Sequence, residues 1–439
     1  MAFILLIAVL NTVIGWRYVR AVQQRAPHTL WLMPPTYVLG LGYLVYTLYP
    51  LWISSPWSPD PDLDPDTLAL SMLFATVFQL ILLAVFFLRG FPDATPTSPS
   101  TDDPQEAERY APVLHLGFLF ALAPFAYRAA TGNWFTLYED ITDLHASLGG
   151  LICESLYPVV YMYFPLAFSL LKHARLRGVI AFQLGLLGLV LLTSAAISTA
   201  KGQLLLFLFL YLVYVNLTQQ RLRKGLIAGL LVLGVAFSIY SHTLRLYGKV
   251  RGEVSWEVLS RNAGVISETF LENSGTALNS LVERHNQIRG LYILMTRPDD
   301  WDREAFFLGS VVELGNLIPR WVWPDRPHLS FNHFATRAIW GHEQLLSETP
   351  VGRIGEAYFV FGPFGLVFAA IYGLFFRLLW QFRLAYMGEP FWQAAYGMLL
   401  FMFVIPDAYM FYNIKAVLLA GPGLFALWLL HRRQQRERA

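Results

Sequence analysis

Residues 67–88 read TLALSMLFATVFQLILLAVFFL, with no Asp, Glu, Lys or Arg among them. As a helix this stretch rises about 33 Å at 1.5 Å per residue, and the hydrocarbon core of a bilayer is about 30 Å thick. A run of this length and apolarity has no place on a soluble surface. The chain is therefore expected to cross a membrane here, as an α-helix, because lipid leaves no other partner for backbone N–H and C=O groups.

The same reading extended along the chain predicts spans at 2–16, 30–53, 67–88, 112–130, 150–171, 178–198, 203–217, 226–242, 353–379, 391–409 and 415–431. The expected fold class is thus all-α: a polytopic integral membrane protein with about 11 transmembrane helices. Composition agrees. Of 439 residues, 56% are hydrophobic and 14% charged, with a mean hydropathy of +0.46, against about 25% charged in soluble domains. A net charge of +2 gives no reason to expect nucleic acid as a partner. The single cysteine, Cys153, lies in an apolar segment and excludes an intrachain disulfide framework. Its simplest role is a small apolar residue between helices. The segment AFILLIAVLNTVIGW lacks a preceding basic region and a small-residue cleavage pattern, so it reads as a retained span rather than a signal peptide.

Basic residues orient the spans. Arg17, Arg20 and Arg25 follow the first, Lys172, Arg175 and Arg177 the fifth, and Arg221, Arg223 and Lys224 the seventh. Arg377 and Arg383 follow the ninth, and Arg432, Arg433, Arg436 and Arg438 the last. These are all odd-numbered exits, whereas the even side holds the acidic loop SSPWSPDPDLDPD at 54–66. The N-terminus is expected outside and the C-terminus in the cytoplasm, in a multi-pass protein of the cytoplasmic (inner) membrane. Residues 90–110, rich in Pro, Ser, Thr and Asp, read as a flexible cytoplasmic linker, and 131–149 as a partly interfacial external segment. Three regions follow: 1–242 with eight spans, 243–352 as a large external helical cap loop, and 353–439 with three spans and a basic tail.

The residues suited to chemistry gather mainly in the external region 243–352 and at the start of the ninth span. Leu278, Leu281, His285, Ile288 and Tyr292 recur at intervals of three and four, which places them on one helical face. His285 falls inside this stripe with Arg284 and Arg289 beside it. Such a histidine can accept a proton from a sugar hydroxyl, and the arginines can grip a phosphate. The plainer alternative is a core histidine with snorkelling arginines. Arg353 and Glu356 are three apart at the outer end of the ninth span and share a helix face. They form either a mutual ion pair or a diphosphate ligand and a catalytic base. Gly352 and Gly355 thin the same helix. Lys201, in the outer turn STAKGQ, is either a snorkelling anchor or a ligand for an anionic headgroup. In IPRWVWPDRPH, three prolines break any helix and shape a loop around Arg320, Arg326, Trp321 and Trp323. The indoles there can anchor at the interface or stack on sugar rings. His328, His333 and His342 match no zinc spacing, so no metal site is expected. No phosphate-binding Gly-rich loop with Lys and Ser/Thr occurs, and no cofactor is expected.

IPRWVWPDRP, followed some thirty residues later by GRIGEAYFVFGPFG, resembles the C-terminal half of bacterial oligosaccharide repeat-unit polymerases of the O-antigen type, and STAKGQ resembles a short turn found there. The likeness covers about 280–380 and is hydropathic elsewhere. It implies a glycosyltransferase acting at the outer face of the cytoplasmic membrane. Such an enzyme moves a growing glycan from one undecaprenyl diphosphate onto the sugar of another lipid-linked repeat unit, with no metal or cofactor. The partners implied are the undecaprenyl-diphosphate-linked oligosaccharide, membrane lipid and a chain-length regulator protein. The expected roles are Glu356 and His285 in catalysis, Arg353, Arg320, Arg284, Arg289 and Lys201 on the diphosphate, and Trp321 and Trp323 on sugar. An arginine–ten residues–glycine pattern described for some O-antigen polymerases is absent from 243–352, so no assignment is inherited from it. An O-antigen ligase, with the same donor and another acceptor, is the nearest alternative. A transporter or flippase of lipid-linked sugars is the alternative from a different class.

Overall fold

Helix formation dominates because apolar runs between turn residues leave the backbone no other way to satisfy itself in lipid. The structure, a computed structural model, describes residues 1–25, 29–54, 63–88, 90, 104–131, 148–171, 174–198, 202–217, 223, 225–230, 232–234, 236, 240, 287–296, 318, 323, 352–386, 389–404 and 410–436. Among them all regular structure is helical: α1 (Ala2–Arg25), α2 (Pro34–Ile53), α3 (Pro65–Phe86), α4 (Pro104–Ala130), α5 (Leu148–Leu156), α6 (Val159–Leu170), α7 (Ala174–Ser198), α8 (Gly202–Leu217), α9 (Gln287–Thr296), α10 (Gly352–Phe361), α11 (Leu366–Ala385), α12 (Pro390–Val404) and α13 (Met410–Arg436). Six segments are long and apolar enough to cross a membrane: α1, α2, α3, Tyr110–Ala130, Arg175–Ser194 and the run Gly352–Ala385. Helices α6 and α12 are apolar but shorter.

Start and stop signals explain the boundaries. Asp64 caps α3: its carboxylate accepts from the Thr67 N–H at 2.9 Å and the Thr67 hydroxyl at 2.6 Å, and Pro65 opens the helix with its φ already set. The span expected at 150–171 is divided. Helix α5 ends at Leu156 and α6 begins after Pro158, whose ring removes a backbone donor. The expected linker 90–110 also needs correction, because α4 already starts at Pro104. Proline is at home in a first helical turn, and the Gln, Glu, Ala and Arg that follow are good helix formers. Helix α2 carries a π-turn at Leu44–Leu48.

Small residues bring the helices together. A Cβ at Gly373 of α11 would lie 2.6 Å from the Leu82 carbonyl oxygen of α3, and one at Gly397 of α12 would lie 2.9 Å from Pro165 of α6. Without a hydrophobic driving force between helices in lipid, such backbone approach and buried polar links supply the association energy. Two links are built of side chains. Asn11 of α1 donates to Thr47 in the π-turn at 2.9 Å and accepts from Thr76 of α3 at 3.0 Å. Tyr163 of α6 donates to Gln183 of α7 at 2.9 Å, and the Gln183 amide lies 3.0 Å from His115 Nδ1 of α4. Conversely, Leu6 and Val9 on α1 and Phe182 and Leu189 on α7 are exposed, as suits faces turned to acyl chains.

Candidate functional site

The run expected to form one ninth span, 353–379, is interrupted. Helix α10 is ten residues long, a 3-10 turn covers Gly362–Gly365, and α11 begins afresh at Leu366. Left-handed glycines bound α10 on both sides: Gly352 at φ +65° and Gly362 at φ +58°. A residue with a Cβ meets a steric penalty of roughly 1–2 kcal/mol in that region. In an unbroken helix residues 357 and 365 would stand about 12 Å apart along the axis. Here a Cβ on Gly365 would lie 2.3 Å from the Ala357 carbonyl oxygen. The chain has folded back on itself.

That reversal changes where Arg353 sits. Its guanidinium carbon is 4.9 Å from the Tyr372 ring and 5.9 Å from the Phe376 ring. Those residues stand roughly 9 and 15 Å into an α11 about 30 Å long. Arg353 therefore lies near the middle of α11, not beyond its outer end as the spacing predicted; the helix carrying it turns back alongside. Its Nη2 donates to the Phe403 carbonyl, next to the C-terminal residue of α12. The last carbonyls of a helix lack internal partners and carry the negative end of its dipole, so a cation is well placed there.

Arg353 and Glu356 occupy adjacent turns of α10 and are 4% and 6% exposed. Glu356 stands one turn from Arg353, whose guanidinium lies over the Tyr372 ring, and the Tyr372 hydroxyl is buried with no hydrogen-bond partner among the described residues. The three groups therefore converge, although Tyr372 carried no signal beyond a tyrosine within an apolar run. Ionisable groups at this depth cost several kcal/mol each unless the surroundings compensate.

Helix α9 closes one side. It packs against both α10 and α3, burying Ile288, Leu291 and Leu294. Of its predicted helical stripe, Ile288 lies in the core and Tyr292 beside it. The Tyr292 hydroxyl accepts from the Asp64 N–H at 3.0 Å, and Gln287 accepts from the Tyr46 hydroxyl at 3.2 Å. Tyr358 of α10 meets Phe74 of α3 edge-on at 5.1 Å. A part of the 243–352 region is thus built into the helical bundle. Arg289 is half-buried on α9, the neighbour of α10. Trp323 is 40% exposed, which leaves its indole free for a sugar face or an interface. Arg284, His285, Arg320, Trp321 and Lys201 lie outside the described residues, as does the STAKGQ turn apart from Ser198, Gly202 and Gln203. No group of three or more potential metal ligands occurs among the described residues.

Comparison with protein-family models, with curated proteins and with solved structures finds no match to this chain.

Proposed function

We propose that the chain is a polymerase of undecaprenyl-diphosphate-linked oligosaccharide repeat units, working at the outer face of the cytoplasmic membrane. The observation that carries this reading is the buried Arg353–Glu356–Tyr372 constellation. It joins a fixed cation and a carboxylate on one short helix inside the bundle. In this reading the acceptor sugar hydroxyl attacks the anomeric carbon of the donor glycan. The new C–O bond forms as the bond from that carbon to the diphosphate oxygen breaks. Undecaprenyl diphosphate leaves with the bonding electrons, and the acceptor proton passes to the Glu356 carboxylate. Arg353 offsets the charge growing on the diphosphate, with Arg289 at the flank. A guanidinium suits this because its planar donors match phosphate oxygens. Arg284, Arg320 and Lys201 are assigned the same charge, His285 an auxiliary base role, and Trp321 and Trp323 the sugar rings. The topology that goes with this function has about 11 spans, the N-terminus outside and the C-terminus cytoplasmic. A chain-length regulator is the proposed protein partner.

Glycan length on the cell surface after separate Arg353→Ala and Glu356→Ala replacements tests the proposal, with protein abundance checked by immunoblot. Collapse of long polymer to single repeat units with abundant protein supports it. Unchanged polymer length makes the pair structural. Long glycan that stays lipid-linked indicates a ligase, which uses the same donor.

A transporter of lipid-linked sugars is the second reading, and one observation favours it. Discontinuous helices with charges inside the bundle are a recurrent device of transporters, and the α10–α11 break with buried Arg353 has that character. Polymer formation by the purified protein from lipid-linked units in detergent, where no translocation exists, decides between the two.

A further inference from the structure

Arg383 lies near the C-terminal end of α11, well away from α10. It is 6% exposed, and Trp380, one turn earlier, is 1% exposed. The Arg383 guanidinium carbon stands 4.7 Å from the Trp380 ring and 5.8 Å from the Tyr396 ring of α12. Stacking on aromatic faces compensates part of the buried charge, yet it uses the face of the guanidinium and leaves its in-plane N–H groups unspent. Among the described residues, Arg383 Nε and Nη1 and Trp380 Nε1 are buried with no hydrogen-bond partner. All three are donors.

The polar groups at this end of the bundle bond one another instead. The Gln393 amide donates to the carbonyls of Arg383 at 3.3 Å and Tyr386 at 3.0 Å, and the Tyr396 hydroxyl donates to the Leu32 carbonyl. Nearby, the Tyr18 and Thr36 hydroxyls satisfy each other at 2.8 Å, and Thr36 bonds the Leu30 carbonyl. Among the described residues, three donors on two stacked side chains, one of them cationic, are left without partners at this end of the bundle. Buried donors left in this way cost free energy, and a purely structural aromatic cage gains nothing from them.

We propose that Arg383 and Trp380 form a phosphate-binding site, taking either a phospholipid headgroup or a soluble phosphate. An anion supplies the missing acceptors and the missing charge together. The guanidinium N–H groups give charge-assisted hydrogen bonds to phosphate oxygens, and the indole N–H of Trp380 is a further donor. The site stands apart from Arg353 and Glu356 and does not rest on the polymerase reading.

The full-length protein in a phosphate-free maltoside detergent tests this, with thermal unfolding as the readout. The probes are inorganic phosphate and short-chain phosphatidylglycerol. A saturable rise of the unfolding midpoint is expected with at least one probe, since a ligand that binds only the folded state stabilises it. A response to phosphatidylglycerol alone identifies the headgroup as the ligand, and a response to both identifies a site open to soluble phosphate. Trp380→Phe keeps the ring and removes one N–H, so apparent affinity falls about tenfold. Arg383→Met abolishes the response while holding or raising the ligand-free midpoint, because it removes an uncompensated buried charge. Absence of any response in the wild type overturns the proposal. So does a response that both variants retain in full.

Discussion

Gly365→Ala tests the hairpin that carries the candidate site. The added Cβ would stand 2.3 Å from the Ala357 carbonyl oxygen and 3.0 Å from the Tyr358 nitrogen. A carbon and a carbonyl oxygen ordinarily approach to about 3.3 Å, so α10 and α11 must separate by about 1 Å. Both obstructing atoms are backbone, so no rotamer change relieves the clash. Overpacking of this kind costs about 1–3 kcal/mol. Under the proposed function the cost to activity is larger, because α10 is the helix that holds Arg353 and Glu356, and a 1 Å misplacement of catalytic groups lowers rates on the order of a hundredfold. Gly40→Ala is the matched control: a Cβ there meets nothing within 4 Å, inside helix α2. Replacing that glycine stabilises by about 0.4–1 kcal/mol through the unfolded state. The two variants are compared by thermal unfolding in detergent and by glycan length in cells. A lowered midpoint and shortened glycan are expected for Gly365→Ala, and a raised midpoint with normal glycan for Gly40→Ala. A Gly365→Ala protein as stable as wild type would refute the folded-back arrangement.

Glu356→Gln retains shape but removes the proposed base. Polymer formation is expected to drop on the order of 10²–10⁴-fold with no loss of unfolding midpoint, whereas a steep fall in midpoint would mark Glu356 as a structural partner. Asp64 is fully exposed, and its hydrogen bonds from Thr67 hold its carboxyl below the usual carboxylate range. A depressed folded-state pKa contributes stability above the unfolded value, about 3.9, and loses it as pH falls through the folded value. Asp64→Asn, which still caps, should therefore flatten the acid limb of a midpoint-against-pH curve below about pH 4; an unchanged limb would show that the cap contributes nothing to it. Asn11→Ala severs the bonds to Thr47 and Thr76, while Thr76 keeps its own bond to the Met72 carbonyl. A loss of about 0.6–2 kcal/mol is expected, read by denaturant titration in mixed micelles, and no loss would show the three helices to be held by packing alone.

Hydropathy located helices because lipid imposes one solution on any apolar run, and of the eleven expected spans six segments among the described residues are long and apolar enough to cross a membrane. The stretch read at 67–88 is helical over Pro65–Phe86, with Asp64 and Pro65 acting as cap and first turn as their chemistry requires. The helix at 287–296 was legible in part from the stripe containing Ile288 and Tyr292. What escaped were interruptions within apolar sequence. A window average over 353–379 passes smoothly across Gly362-Pro363-Phe364-Gly365, since Pro and Gly barely lower the mean. The turn signal was nonetheless present as a Gly-Pro dipeptide ten residues after another glycine, the two positions that adopt left-handed backbone.

The buried arginines show a deeper limit. Arg353 and Arg383 look alike in sequence, each a cation near the end of an apolar stretch, and such residues usually snorkel toward water. In the structure both are enclosed, and each is enclosed by residues far away in the chain. Arg353 gains the Phe403 carbonyl from α12 and Tyr372 from across the hairpin; Arg383 gains Tyr396 from α12. Helix α12 thus covers both cations along a single length, with its C-terminal carbonyl at one and its N-terminal half at the other. A residue spacing cannot encode that, because it depends on which helix packs where. It also means that the two sites share a wall.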